Sequence, residues 1–160
     1  MSSDMKRRAI LMFMHDRPGV LNKISMMIRK KMYNVDTLTV CSAKTPGSSR
    51  MTLTLRENDD AKVQQVIRQL EKFIEVISAK ELDRDSSYWR EVAILKVEAD
   101  EATLKKFAPK YNFEILDQQK ENITIIQIVG AIQHIDDFME EIGQEHILEI
   151  ARTGVTALEQ

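Results

Sequence analysis

Residues 8–43, RAILMFMHDRPGVLNKISMMIRKKMYNVDTLTVCSA, place two different hydrophobic periodicities side by side. Residues 8–16 begin with an apolar run bounded by charged residues, which is typical of a buried strand. From Pro18 onward the apolar residues recur at helical spacing; they are Leu21, Ile24, Met27, Ile28 and Met32. Residues 33–43 then alternate, with apolar and β-branched residues in a strand-like run. The stretch therefore predicts a strand, a helix and a second strand.

The same kinds of element continue along the chain. Residues 49–57 predict a third strand, and Asn58 or Asp59 can cap a second helix before a fourth strand in residues 73–82. Residues 88–160 repeat this order, although their first helix is short and is expected to end near Pro109. The order strand, helix, strand, strand, helix, strand is that of a ferredoxin-like βαββαβ domain.

The sequence thus predicts an α+β protein with two ferredoxin-like βαββαβ domains. Their predicted limits are residues 1–82 and 88–160, with a polar linker at 83–87. Each sheet would bury one face under its two helices and leave edge strands open. Because an open edge is a liability unless something pairs with it, we expect a homodimer or a larger assembly.

Composition and charge exclude several classes of protein. The formal net charge of -2 argues against a general nucleic-acid binder. The single cysteine, Cys41, permits no internal disulfide and indicates a reduced, cytoplasmic setting, where we expect it to be a small buried side chain. His15, His134 and His146 are too widely separated to predict a metal site. No apolar run approaches the roughly 18 residues of a membrane span, and the first residues do not resemble a secretory signal.

The turn between the first strand and the first helix is the candidate binding site. The first N–H groups of a helix lack internal partners, and the helix dipole attracts anions there. Gly19 has no side chain, so a carboxylate can approach the amides of Gly19, Val20 and Leu21. Asp16, just before the helix, can accept an ammonium group. The pattern therefore suits a free amino acid.

Asn34, at the start of the next predicted strand, offers this ligand both a donor and an acceptor. A simpler interpretation of the same residues also stands. Asp16 can be a plain helix cap, and Pro18 with Gly19 only a sharp entry into the helix.

Residues 16–24, DRPGVLNKI, resemble the D/N-x-P/S-G-x-L signature of ACT domains, which are small ferredoxin-like modules that bind amino acids at dimer interfaces. Further segments resemble, in chain order, those of the small regulatory subunit of acetolactate synthase. They are YNVDTLTV, PGSSRMTLTL, FIEVISAKEL, REVAILKV and EIARTGVTAL. The similarity extends from about Arg7 to Leu158, so it covers nearly the whole chain.

The resemblance implies an N-terminal ACT domain that dimerises and binds a feedback amino acid, chiefly valine. Gly19, Val20 and Leu21 would then supply amides to the ligand carboxylate, and Asn34 and Val35 would reach in from the partner chain. Two positions depart from the family pattern: Asp16 stands where Asn is usual, and Pro18 stands where Ser is frequent. The predicted ligand-binding residues are therefore Asp16, Pro18, Gly19, Val20, Leu21, Asn34 and Val35.

The resemblance also implies that the chain itself is not catalytic. Thiamine diphosphate, magnesium and FAD would reside on the large catalytic subunit, and this cytoplasmic partner would activate that subunit and confer valine inhibition on it. The second domain has EADEATL at the equivalent turn, without a glycine, so we do not expect it to bind an amino acid in the same way. The alternatives are an ACT sensor for a different enzyme and a small acylphosphatase-type enzyme on the same fold.

Overall fold

The computed structural model describes residues 5–119 and 122–160, which belong to two compact units. Unit 1 takes the chain up to Tyr88 together with Val155–Gln160, and unit 2 is Trp89–Gly154. The division falls next to the predicted linker at 83–87. The end of the predicted second domain differs, because Val155–Gln160 group with unit 1.

Unit 1 contains one four-stranded sheet and two helices. Its elements are β1 (Arg7–His15), α1 (Val20–Lys31), β2 (Val35–Ser42), β3 (Ser48–Arg56), α2 (Asp60–Glu71) and β4 (Val76–Leu82). The strands are antiparallel in the order β2-β3-β1-β4, so β2 and β4 are the edges. Within the described part of the chain, no helix has the length and apolar character of a membrane span.

The core of unit 1 lies between its sheet and its helices. Ile10, Met12 and Met14 of β1 alternate toward this core, and the register pairs Ile10 with Leu53 and Met12 with Met51 of β3. The α2 stripe packs there as predicted, with Val63, Val66, Ile67 and Leu70 buried. Asp59 caps α2 by accepting a hydrogen bond from the Ala61 N–H at 2.8 Å.

The other face of this sheet is covered by the end of the chain. A last strand, β9 (Thr156–Glu159), follows Val155, whose N–H donates to the Thr37 hydroxyl at 3.3 Å. Arg50 donates to the Ala157 carbonyl, and Lys80 lies 2.6 Å from Glu159. Val155 is fully buried. The sequence pattern did not indicate this strand.

Unit 2 repeats the connectivity of unit 1. Its elements are β5 (Ser87–Glu98, which begins within unit 1), α3 (Glu101–Lys105), α4 (Ala108–Tyr111), β6 (Glu114–Gln119), β7 (Ile123–Gly130), α5 (Ile132–Ile142), a 3₁₀ turn (Gln144–His146) and β8 (Ile147–Arg152). The strand order β6-β7-β5-β8 corresponds to β2-β3-β1-β4. The predicted fold class, α+β with two ferredoxin-like repeats, is confirmed.

Four details of the sequence prediction were wrong. Pro109 does not end a helix; it lies in the first turn of α4, where a missing N–H has no consequence. Leu21 is 46% exposed, since α1 turns Val20, Ile24 and Met27 to the core instead. Met32 is 88% exposed because it caps α1 in a left-handed conformation, outside the helical periodicity. Cys41 is exposed because it lies near the end of the edge strand β2.

Candidate functional site

The turn from β1 to α1 is held by two other segments of unit 1. The N–H of His15 donates to the Glu75 carbonyl at 2.8 Å, and the N–H of Asp16 donates to the Gly47 carbonyl at 2.9 Å. The two acceptors lie just before β4 and in the β2–β3 hairpin, which are far apart in sequence. The turn is therefore fixed from both sides by the fold.

Gly19 occupies the position between this turn and α1. Its φ of 86° and ψ of −8° are left-handed, a conformation that L side chains rarely adopt. A Cβ built there has no heavy atom within 4 Å, so the space above this backbone is open. The glycine is needed for its backbone conformation, and the open space leaves room for a ligand.

The N-terminus of α1 is not capped by any side chain. Gly19 is its N-cap residue, no side-chain cap hydrogen bond is present, and the first turn contains no acidic residue. The interpretation of Asp16 as a plain helix cap is therefore wrong. The Val20 N–H has a long contact of 3.4 Å with the Arg17 carbonyl, whereas within the described residues no backbone acceptor is recorded for the amides of Gly19 and Leu21. An uncapped helix N-terminus attracts an anion such as a carboxylate.

Glu75 belongs to this site, and sequence reasoning missed it. The residue is only 8% exposed, its carbonyl holds His15, and its carboxylate forms an ion pair with Lys23 on α1. The hydrogen bond from Lys23 lowers the pKa of the Glu75 carboxyl below its ordinary value. A single acidic residue before a strand gives no periodic signal, so only the folded structure reveals the contact.

Asn34 and Val35 lie at the opposite end of α1 from Gly19. Asn34 is exposed just before β2, and Val35 is half-buried against the core. The twelve residues of α1 separate them from Gly19 by about 18 Å, at about 1.5 Å per residue. One chain thus brings Asp16, Pro18, Gly19, Val20 and Leu21 together, and it does not bring Asn34 and Val35 to them.

The described residues contain no group of three His, Cys, Asp or Glu side chains placed to hold a metal ion. Near the candidate site, the Glu75 carboxylate forms an ion pair with Lys23. The chemistry that this turn offers is the recognition of a small anion by backbone amides.

Comparison with known proteins matches both units. Residues 10–78 match the family described as AHAS small subunit-like ACT domain, and residues 90–160 match the family described as small subunit of acetolactate synthase. A probable acetolactate synthase small subunit of Methanothermobacter thermautotrophicus is 31% identical over 146 residues, which are 89% of this chain and 86% of the relative. The acetolactate synthase small subunit of Bacillus subtilis (strain 168) is 30% identical over 94% of this chain and 89% of its own.

A solved structure gives the same result. The crystal structure of the acetolactate synthase small subunit from Thermotoga maritima superposes with a TM-score of 0.87 at 28% identity and covers 98% of both chains. Sequence and fold therefore agree along nearly the full length. The chain belongs to the family of acetolactate synthase small subunits, with an ACT domain in its N-terminal part.

Proposed function

We propose that this chain is a non-catalytic regulatory subunit that activates the catalytic subunit of acetolactate synthase and makes it sensitive to valine. The observation that carries the proposal is the uncapped N-terminus of α1 beside the open space at Gly19. The names of the relatives support the partnership, since a small subunit implies a large one. Thiamine diphosphate, magnesium and FAD are assigned to that large subunit.

The ligand would be bound through both of its charged groups. Its carboxylate accepts hydrogen bonds from the amides of Gly19 and Leu21, where the helix dipole is favourable. A side-chain oxygen of Asp16 accepts a hydrogen bond from the ammonium group of the ligand. Pro18 restricts the turn that carries these groups, because its ring fixes φ near −65°.

A second copy of the chain would complete the site. The strand β2 is an edge, and Leu38 and Val40 on it are exposed together with Leu21 on α1. Pairing two copies along this edge would cover the apolar side chains and satisfy the unpaired strand. Such a dimer also offers a way for Asn34 and Val35 of one chain to reach the Gly19 turn of the other.

Valine would act through linkage. Only a difference in its affinity for two arrangements of the dimer can shift the equilibrium between them. A coupling free energy of roughly 1–3 kcal/mol is typical of such systems. The catalytic subunit would be sensitive to the same two arrangements.

Mixing two defective variants tests both the ligand and the shared site. Valine binding is measured by isothermal titration calorimetry for Gly19→Asp, for Asn34→Ala, and for the two after denaturation and refolding together. Each variant alone should bind valine more weakly than the wild type. The mixture should regain about a quarter of the wild-type sites, because half of the dimers are mixed and each of these has one intact site.

Two results would count against the proposal. If the mixture regains no binding while the wild type binds valine, Gly19 and Asn34 do not meet across two chains. If the wild type binds no valine, the effector assignment itself is wrong. A mixture of Gly19→Asp with the double variant Gly19→Asp/Asn34→Ala is the matched control, since it contains no intact site.

A further inference from the structure

A cavity in unit 1 is lined by none of the residues of the Gly19 turn. It has a volume of about 430 Å³ and lies where the end of α1, the end of β3 and the first two turns of α2 meet. Leu55 and Val66 form a buried apolar part of its wall. It is formed by a single chain and needs no second copy.

One buried hydroxyl and one exposed lysine of this cavity have no acceptor in the described part of the chain. The Tyr33 hydroxyl is buried and has no hydrogen-bond partner among residues 5–119 and 122–160. Lys31, in the last turn of α1, is exposed and forms no ion pair within the same described ranges. A buried donor that lacks an acceptor is destabilising, so an acceptor brought by a ligand would stabilise this wall.

The charged residues in the cavity wall also favour a ligand that brings hydrogen-bond acceptors. Three cations line it, namely Lys31, Arg56 and Lys62, against one carboxylate, Glu57. Lys62 lies 3.5 Å from Glu57, and Arg56 lies 3.4 Å from Asp36 outside the cavity wall. The Glu57 carboxylate is already occupied, because it accepts the N–H groups of Asn58 at 3.0 Å and Asp59 at 3.1 Å. The hydrogen bond from the Asp59 N–H is the main cause that lowers the pKa of Glu57, which keeps it ionised and acceptor-only.

Two cavities among the described residues of unit 2 have the opposite character. One of about 330 Å³ in unit 2 is lined by Glu98 and Asp100, and another of about 600 Å³ by Asp136, Glu140 and Glu145; neither has a lysine or arginine in its wall. The chain as a whole is also slightly acidic, with a formal net charge of -2. The basic cavity is therefore not a consequence of the overall composition.

We propose that this cavity binds a small organic anion, a carboxylate or a phosphate with a short apolar part. The anionic oxygens would accept hydrogen bonds from the Tyr33 hydroxyl and the Lys62 ammonium group, and the apolar part would contact Leu55 and Val66. This site shares one residue, Asn34, with the proposed valine site. Asn34 is therefore left unchanged in the test.

The test uses the full chain, with inorganic phosphate and butyrate as probes in separate titrations by isothermal titration calorimetry. Wild type is compared with Lys62→Gln and Tyr33→Phe. Lys72→Gln is the matched control, because Lys72 follows the same helix and does not line the cavity. We expect saturable binding of at least one probe, weakened about tenfold by either cavity variant, as expected for one hydrogen bond to a charged group, and unchanged by the control.

Binding of phosphate alone identifies a phosphorylated ligand, and binding of butyrate alone identifies a carboxylate. The proposal is overturned if neither probe saturates, or if Lys72→Gln weakens binding as much as Lys62→Gln does. Neither substitution is expected to unfold the chain, so a change in binding reports on the cavity itself. Lys62 is exposed, and Tyr33→Phe removes a hydroxyl without a partner, so the melting temperature should stay the same or rise. If Tyr33→Phe failed to fold, Lys62→Gln alone would decide.

Discussion

Replacing Gly19 by aspartate should weaken valine binding and leave the chain folded. A Cβ at this position would meet no heavy atom within 4 Å, so there is open space at the start of the new side chain. The substitution destabilises the fold through the left-handed backbone of residue 19, whose φ is 86°. That conformation costs most L residues about 1–2 kcal/mol, and Asn and Asp tolerate it best. An acidic residue at a helix N-terminus also regains about 0.3–1 kcal/mol from the dipole.

The effect on binding follows from the added charge. A carboxylate about 4 Å from the ligand carboxylate raises its binding free energy by about 1 kcal/mol in bulk water and by about 4 kcal/mol at an effective dielectric constant of 20. The expected loss of affinity therefore lies between roughly fivefold and a thousandfold. Gly19→Asn is the matched control, since it has nearly the same volume and the same backbone tolerance without the charge.

The assay is isothermal titration calorimetry with valine, with thermal unfolding measured on the same samples. We expect the Kd to rise from wild type to Gly19→Asn and again to Gly19→Asp, while the two variants unfold at similar temperatures. If Gly19→Asp bound valine with the wild-type Kd, the carboxylate would not be held at the N-terminus of α1, and this reasoning would be refuted.

Three further substitutions test other contacts. Asp16→Asn should keep or tighten valine binding in the same titration, because the amide oxygen still accepts a hydrogen bond and a negative charge is removed; a complete loss would show that the carboxylate itself is required. Glu75→Gln should make the temperature of thermal unfolding depend less on pH in acid. The hydrogen bond from Lys23 lowers the pKa of Glu75, so the pair stabilises the fold above the ordinary pKa of 4.5 and loses this effect as the pH falls. An unchanged acid profile would mean that the pair does not contribute. Val155→Ala should lower the free energy of unfolding by roughly 2 kcal/mol in a urea titration. Leu158 is 65% exposed, so Leu158→Ala should change this free energy little. Equal effects of the two substitutions would contradict the burial of Val155 within unit 1.

Local patterns in the sequence were sufficient to predict most of the fold. The α2 stripe from Val63 to Leu70 is buried as its periodicity predicts, and Asp59 caps this helix. The repeated element order also predicted that both units would have the same connectivity. These features depend on residues within a few positions of each other, which is why periodicity and capping rules detect them.

Features that depend on distant segments were not predictable in this way. The contact of Glu75 with His15 and Lys23, and that of Val155 with Thr37, join residues far apart in sequence. The turn at Pro18 and Gly19 could be identified from sequence because its chemistry is local. Its relation to Asn34 could not, because α1 separates the two within one chain.

The most direct test of the account is the rate of acetolactate formation by a catalytic subunit from the same source, titrated with this chain in the presence and absence of valine. The rate should rise to saturation with this chain, and valine should reverse the rise at lower concentrations with the wild type than with Gly19→Asp. A rate that does not change at any ratio of the two chains would contradict the proposed regulatory role.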